Sequence, residues 1–258
     1  MNAVTKFNNE KVQNIKNLAK DDELESLAHE WVLRAAEHNW AYNFSWFGRP
    51  AIQFPNDTWA MQELIWEIKP DLIIETGIAH GGSLIFSASM LAMLDYAEAA
   101  ESKSVLDPSA SKRKVLGIDI DIRAHNKTAI EAHPFSGLIQ MVEGSSIDKE
   151  TIDRVREIAS AYKTILVCLD SNHTHEHVLR ELNAYAPLVS KGSYCVVFDT
   201  LVEDMPLGSF PDRPWDKGDN PKTAVFEYIR ANTDFFIDSD ISDKLSITVA
   251  PEGFLKRI

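Results

Sequence analysis

The sequence predicts an α/β fold, a mostly parallel sheet covered by helices on both faces. Three observations carry this. Five short apolar runs, at 72–75, 114–119, 139–143, 165–170 and 194–199, alternate with stretches of helical periodicity at 83–99, 124–133, 147–162 and 176–189. Such alternation builds βαβ units. Each run ends in an acid: Glu75, Asp119, Glu143, Asp170 and Asp199. The first run, Leu72-Ile73-Ile74, is short and β-branched, as suits a strand covered on both faces. It leads into a glycine turn, Gly77-Ile78-Ala79-His80-Gly81-Gly82, and a helix start at Ser83. Ligands of open α/β sheets bind outside the carboxyl ends of the strands, which makes these acids and this turn the first candidates for a site.

The remaining elements follow in order. Residues 1–20 are polar and read as irregular, with Val12, Ile15 and Leu18 hinting at one helical face. Asp21-Asp22 caps a helix over 23–38, where Leu24, Leu27, Ala28, Trp31 and Ala35 share a face. An aromatic loop comes next, containing Trp40, Tyr42, Phe44, Trp46, Phe47, Gly48, Arg49 and Pro50. Asn56-Asp57 is expected to cap a helix over 58–68, which Pro70 terminates. The Ala/Ser/Lys-rich stretch 98–112 reads as a surface-loop insertion. Residues 200–219, with Pro206, Gly208, Pro211, Pro214, Trp215 and Gly218, are too many for a simple connector and suit a lid or binding loop. Asn220-Pro221 opens a helix to 231, proline at its first position. Runs at 235–238 and 245–249, separated by a polar turn, predict a terminal hairpin, after which Gly253 to Ile258 closes the chain.

This organisation divides the chain into an N-terminal helical and aromatic extension, 1–57, suited to substrate or oligomer contacts, and a sheet domain, 58–258. A hydrophobic share of 45% supplies a core. The net charge of −13 opposes nucleic acid and anionic membrane as partners but leaves small-molecule or glycan substrates open. The two cysteines, Cys168 and Cys195, lie in apolar runs and read as buried free thiols. The chain shows no signal-peptide pattern and no stretch of membrane-span length, so a cytoplasmic location is expected.

The chemistry concentrates at the strand ends. Glycines let the Gly77 turn bend sharply and approach a ligand, and the helix beyond offers free N–H groups. Glu75, ahead of the glycines, calls for hydroxyls or positive charge. The spacing G-x-x-x-G-G departs from the dinucleotide fingerprint G-x-G-x-x-G; E-x-G-x-x-x-G is the pattern expected of S-adenosylmethionine (SAM) methyltransferases. A ligand-free structural turn is the alternative. Asp119 is placed to hold ribose hydroxyls, with Ile120 beside it, or is a solvated carboxylate at a strand end. Gly144-Ser145-Ser146 leaves room for a flat adenine, or is a plain helix-capping turn. Asp170 and Asp199, on adjacent strand ends, suit a hard cation such as Mg²⁺, with His173 as the base, or as a mere helix-start residue. His173-x-x-Glu176-His177 matches the H-x-x-E-H zinc-peptidase pattern, but its first histidine falls in the turn after a strand rather than on a helix. An iron hydroxylase site fails on spacing and fold. Trp46, Arg49 and Trp215, together with His173, are the candidate acceptor contacts; the aromatics equally suit core or subunit packing.

Three blocks carry a family resemblance: Ile68-Lys69-Pro70-Asp71-Leu72-Ile73-Ile74-Glu75-Thr76-Gly77-Ile78-Ala79-His80-Gly81-Gly82-Ser83, then Leu169-Asp170-Ser171-Asn172-His173-Thr174, then Gly192-Ser193-Tyr194 leading to Asp199-Thr200. From about Trp46 to Ala231 the chain resembles the cephalosporin hydroxylase family, which is similar to bacterial rhamnosyl and other sugar O-methyltransferases. The resemblance implies a Rossmann-like class I SAM methyltransferase fold with a seven-stranded sheet and an antiparallel C-terminal hairpin strand. It also implies a Mg²⁺-assisted, often oligomeric enzyme acting on hydroxyls of sugars, polysaccharides or natural products. By position, Glu75, Gly77, Gly81, Gly82, Ser83 and Asp119 would contact SAM, with His80, Ile120, Ser145, Ser146 and Asp170 lining the same site. Asp170 and Asp199 would hold metal, and Asp170 and His173 would be catalytic. Where members carry Glu-Asp-Thr, this chain has Phe198-Asp199-Thr200. Either Glu203 or Asp204 then replaces the missing ligand, or His173 works without metal. The expected function is SAM-dependent O-methylation of a sugar hydroxyl. An NAD(P)-dependent oxidoreductase and a non-catalytic SAM- or nucleoside-binding subunit are the alternatives.

Overall fold

The structure is a computed structural model that describes residues 2–258. Its N-terminal segment holds α1 (Ala3–Leu18), α2 (Asp22–Ala36), a 3-10 turn and a two-stranded antiparallel ribbon of β1 (Phe44–Trp46) and β2 (Arg49–Ala51). Then α3 (Pro55–Ile68) leads into the alternating part: β3 (Leu72–Thr76), α4 (Gly82–Ser102), β4 (Lys114–Asp119), α5 (Ala124–Glu131), β5 (Ile139–Glu143), α6 (Lys149–Ala159), β6 (Ile165–Leu169), α7 (His175–Tyr185) and β7 (Tyr194–Val197). The chain ends with α8 (Pro221–Ala231), β8 (Phe235–Ile237), α9 (Ser239–Leu245) and β9 (Phe254–Arg257).

Seven strands form one sheet in the order β5-β4-β3-β6-β7-β9-β8. All neighbours from β5 to β7 are parallel, and β9 runs antiparallel to both β7 and β8. Every residue of β3, β6 and β7 is buried, because the period-2 alternation of a strand sends neighbouring side chains to opposite faces and both faces are covered. Ile73, Val115, Leu166 and Val196 pack with Leu64 and Ile65 of α3 and Leu84 and Leu91 of α4. Their neighbours Leu72, Ile74, Leu116, Val167 and Val197 pack with Val155 of α6, Leu182 of α7 and Val225 of α8. Each such aliphatic side chain contributes about 1.5–3 kcal/mol of burial free energy. The register Thr76↔Ile118 and Thr76↔Leu169 aligns the carboxyl ends of three strands, so Asp119 and Asp170 emerge on the same edge as the Gly77 turn. Among the described residues no helix is long and apolar enough to cross a membrane, and both cysteines are buried and unpaired.

Four expectations are corrected. Residues 245–249 are no strand; the antiparallel strand is β9, inserted between β7 and β8. The reason lies in α3. Asp57 does not cap that helix, which starts at Pro55, but turns inward from its first turn and is fully buried. It accepts hydrogen bonds from the Thr248 hydroxyl and, at 2.9 Å, from the Val249 N–H, so this backbone is tied to a helix rather than to a sheet. Second, the stretch 98–112 is loop only from 103 onward. Helix α4 continues to Ser102, favoured by its alanines and by Arg113, which pairs with Asp95 and Glu98 one turn apart. Third, residues 3–18 are not irregular: Asn2 caps α1 by accepting from the Thr5 N–H at 2.8 Å. Fourth, the aromatic loop is largely ordered as the 3-10 turn and the β1–β2 ribbon.

Burial raises the Asp57 carboxyl from 3.8 to about 7, against the opposing pull of the Thr248 and Val249 hydrogen bonds. Between those two values the folded protein binds a proton that the unfolded chain releases. The stability contributed by Asp57 is therefore full below the unfolded value and falls as pH rises toward 7, by up to about 4 kcal/mol. Denaturant unfolding at pH 5 and pH 8 checks this. The wild-type protein loses stability toward pH 8, and Asp57→Asn makes that loss smaller, leaving the part contributed by other buried carboxyls such as Glu75.

Candidate active site

The Gly77 turn is held from three sides. Gly77 has φ +89°, and a Cβ on it would lie 1.9 Å from the Asp170 carbonyl oxygen, so only glycine fits between these strand ends. Asp119 pins the next two residues: its Oδ2 accepts from the N–H groups of Ile78 at 2.8 Å and Ala79 at 3.3 Å. The opposite side is clamped by Arg49, whose guanidinium donates to the His80 carbonyl and to Asn126 Oδ1 at 3.0 Å, while Asn126 donates to the Ala79 carbonyl at 2.8 Å. Beneath the turn, Glu75 is buried and accepts from the Ser83 hydroxyl at the start of α4. Burial pushes its carboxyl up to about 7.

Two spaces open from this turn. On the β4–β5 side a cavity of about 210 Å³ is lined by Gly77, Asp119, Ile120, Ser145, Ser146 and His177 among others. His177 is tied into its wall through Ser146 Oγ at 3.0 Å and Ser171 Oγ at 3.3 Å, and Ser171 donates at 2.7 Å to the buried Glu181. On the β6–β7 side lies a larger cavity of about 390 Å³, bounded by Asp170, His173, Asp199 and Trp215 and by an apolar wall that includes Phe198.

At the seam, one ligand atom each from Asp170, His173 and Asp199 lies within 4.8 Å of the others. His173 Nε2 is 3.5 Å from Asp199 Oδ2. Asp199 reaches the cluster from a left-handed backbone, φ +56°, a conformation uncommon outside glycine and concentrated at functional sites. Burial, then the charges of Asp199 and Glu75, hold the Asp170 carboxyl well above the usual carboxylate range. Trp215, from the 200–219 segment, stands edge-on to the His173 ring at 4.6 Å, with Arg213 stacked on its face at 5.3 Å.

The structure thus brings together Asp170, His173, Asp199 and Trp215, and separately gathers Asp119, Ile120, Ser145 and Ser146 around the smaller cavity. It does not bring Trp46 or Arg49 into the larger cavity. Trp46 packs on Phe86 and donates to Ser89 Oγ at 2.9 Å, while Arg49 braces the turn. Neither Glu203 nor Asp204 replaces the ligand missing at Phe198. Glu203 accepts from the Gly218 N–H at 2.7 Å, and Asp204 pairs with Lys222 at 2.6 Å. The H-x-x-E-H pair is split: His173 precedes α7, while His177 on that helix faces Ser146. Sequence reading missed Asn126, Glu181 and Gln53, whose Nε2 donates to Asp170 Oδ2 at 3.2 Å. No local pattern marks them, since each acts across a long sequence separation or inside a helix of ordinary composition.

A family model described as Rhamnosyl O-methyltransferase/CmcI matches residues 38–258. The rhamnosyl O-methyltransferase of Mycobacterium tuberculosis is 29% identical over 229 residues, covering 85% of this chain and 83% of that protein. That of Mycobacterium leprae is also 29% identical, over 241 residues, covering 90% and 91%. Among solved structures, CmcI with Mg and SAM shares the fold at a TM-score of 0.55 and 19% identity, covering 84% of this chain and 77% of that one. The CmcI apo-structure gives 0.54 and 18% over the same shares.

The geometry of the turn predicts an ordered pair of substitutions. Gly48 also has positive φ, but nothing lies within 4 Å of an added Cβ. Gly48→Ala therefore meets backbone strain alone, about 1–2 kcal/mol, whereas Gly77→Ala also collides with the Asp170 carbonyl. Urea unfolding is expected to show Gly77→Ala losing more stability than Gly48→Ala; equal losses would refute the tight contact.

Proposed function

The chain belongs to the Rhamnosyl O-methyltransferase/CmcI family, and from that membership we propose that it transfers the methyl group of SAM to a hydroxyl of a sugar or sugar-bearing acceptor. The observation that carries the proposal is the Asp170–His173–Asp199 cluster at the seam between two cavities beside the glycine turn.

In this reading the adenosine part of SAM occupies the cavity of Asp119, Ile120, Ser145 and Ser146. The Asp119 carboxylate, oriented by the Ile78 and Ala79 N–H groups, has lone pairs left for ribose hydroxyls. Gly77, His80, Gly81, Gly82 and Ser83, with Asp170, would hold the amino-acid part, and Glu75 holds the floor through Ser83. Asp170 and Asp199 would hold the metal. Two carboxylates crowded beside an imidazole form a donor set that fits a hard divalent ion. SAM supplies an electrophilic methyl carbon, and Mg²⁺ supplies Lewis-acid polarisation of the acceptor oxygen.

The chain's own groups do the rest. His173, whose Nε2 lies 3.5 Å from Asp199 Oδ2, takes the acceptor proton. Trp215 shields that ring from water and offers an aromatic face to a sugar. The transfer is an in-line displacement, so alignment and desolvation are the protein's main contributions. Residues 1–57 act as an extension that completes the site around a catalytic domain 58–258; the ribbon's packing on the glycine turn supports that role, although α3 runs across the boundary. Two buried free thiols support a cytoplasmic location. Trp59 and Trp66, both exposed and seven residues apart on one face of α3, support a homo-oligomer. A role in polysaccharide or natural-product assembly follows from a sugar acceptor.

Calorimetric titration with S-adenosylhomocysteine (SAH) and, separately, with NAD tests the proposal. SAH binds, NAD does not, and Asp119→Ala weakens SAH at least about tenfold, as loss of a charge-assisted hydrogen bond predicts. Asp199→Ala leaves SAH affinity nearly unchanged yet lowers turnover about 100-fold or more. Binding of NAD in place of SAH would move the chain to the oxidoreductases.

A further inference from the structure

We propose that Gln53 is a positioning residue whose side-chain amide holds the Asp170 carboxylate at the seam between donor and acceptor cavities; the inference rests on the reading above. Gln53 follows β2 and belongs to the N-terminal segment, yet its Nε2 reaches Asp170 Oδ2 at 3.2 Å, across 117 residues of sequence. Gln53 and Asp170 line the same three spaces: the cavity of His173 and Asp199, the cleft along the glycine turn, and an apolar cavity of about 180 Å³ beside Glu75.

The backbone that carries Gln53 is fixed. A Cβ on Gly82 would lie 2.2 Å from the Pro50 carbonyl oxygen and 2.6 Å from Ala51 Cα, so the ribbon is pressed directly onto the turn at the start of α4. On the far side of Gln53, Phe54 packs edge-on against Trp40 at 5.0 Å. Held at both ends, this backbone keeps the Gln53 side chain within reach of Asp170.

The chemical type matters as much as the position. The charges that act on Asp170 are those of Asp199, Glu75 and Glu181, all negative. A lysine or arginine at position 53 would neutralise Asp170 and occupy the place of a divalent ion. An uncharged amide orients one carboxylate oxygen and leaves the negative charge available to the site. Gln53 thereby makes the N-terminal segment part of the active site, and it couples the cofactor cleft to the acceptor cavity through a single carboxylate.

The test uses the full chain and Mn²⁺ as probe, followed by electron paramagnetic resonance with and without SAH. Gln53→Met keeps the volume and removes the donor. It is expected to weaken Mn²⁺ about 10- to 100-fold, the usual cost of losing a group that orients a metal ligand, while SAH affinity and melting temperature stay close to wild type. Gln53→Ala, which adds no bulk, is read in the same way should the methionine variant fold poorly. Unchanged Mn²⁺ affinity in either folded variant overturns the proposal, as does a wild-type protein that binds SAH but no Mn²⁺. A wild-type protein that binds no SAH defeats the methyltransferase reading instead, and the Mn²⁺ comparison still decides the role of Gln53.

Discussion

The site depends on the close approach of the β3 and β6 strand ends, where no side chain stands between Gly77 and the Asp170 carbonyl. Because the turn bends there, the Ile78 and Ala79 N–H groups reach the Asp119 carboxylate, and the His80 and Ala79 carbonyls reach Arg49 and Asn126. The ribbon of β1 and β2 then lies on Gly82, which delivers Gln53 to Asp170. A larger residue at Gly77 or Gly82 would push these partners apart together. The parallel register of β3 with β4 and β6 makes this possible, since it aligns the strand ends to within one residue.

Gathering carboxylates at one edge has an electrostatic cost. Asp170 sits near Asp199, Glu75 and Glu181 in a chain already carrying −13, so its charged form is disfavoured unless something answers it. Oriented hydrogen-bond donors rather than lysine or arginine meet these carboxylates: the Gln53 amide on Asp170, the Ser83 hydroxyl on Glu75 and the Ser171 hydroxyl on Glu181. The cations go elsewhere. Arg49 takes a carbonyl, and Lys222 is held by Asp204 and Glu252 at 2.6 Å each. Among the described residues, no lysine or arginine pairs with Asp170, Asp199, Glu75 or Glu181.

Much of this was legible in the sequence because it is encoded locally. Apolar runs closed by acids, a glycine turn and an Asn-Pro helix start each report on a few adjacent residues, and the sheet, the turn and the Asp170–His173–Asp199 grouping follow from them. The misreadings share another cause. Residues 245–249 have strand-like composition, but the buried Asp57 carboxylate, far off in sequence, takes the Thr248 hydroxyl and the Val249 N–H. The orientations of Trp46, which packs on α4 and lines an apolar cavity with Asp170, and of Arg49, which braces the glycine turn, are likewise set by long-range partners. Gln53 sits in an unremarkable stretch, and only the fold gives it a carboxylate to hold. Local pattern identifies which residues carry chemistry; the tertiary contacts decide what orients them.

The central claim is that methyl transfer to oxygen takes place at the Asp170–His173–Asp199 seam. The most direct measurement supplies SAM labelled with ¹³C in its methyl group, together with a panel of rhamnosides, and follows the label by NMR. The account predicts a new O-methyl carbon on a sugar hydroxyl with wild-type protein, absent when Asp199 is replaced by alanine. Label appearing on nitrogen or carbon, or an O-methyl signal undiminished in the Asp199→Ala protein, would contradict it.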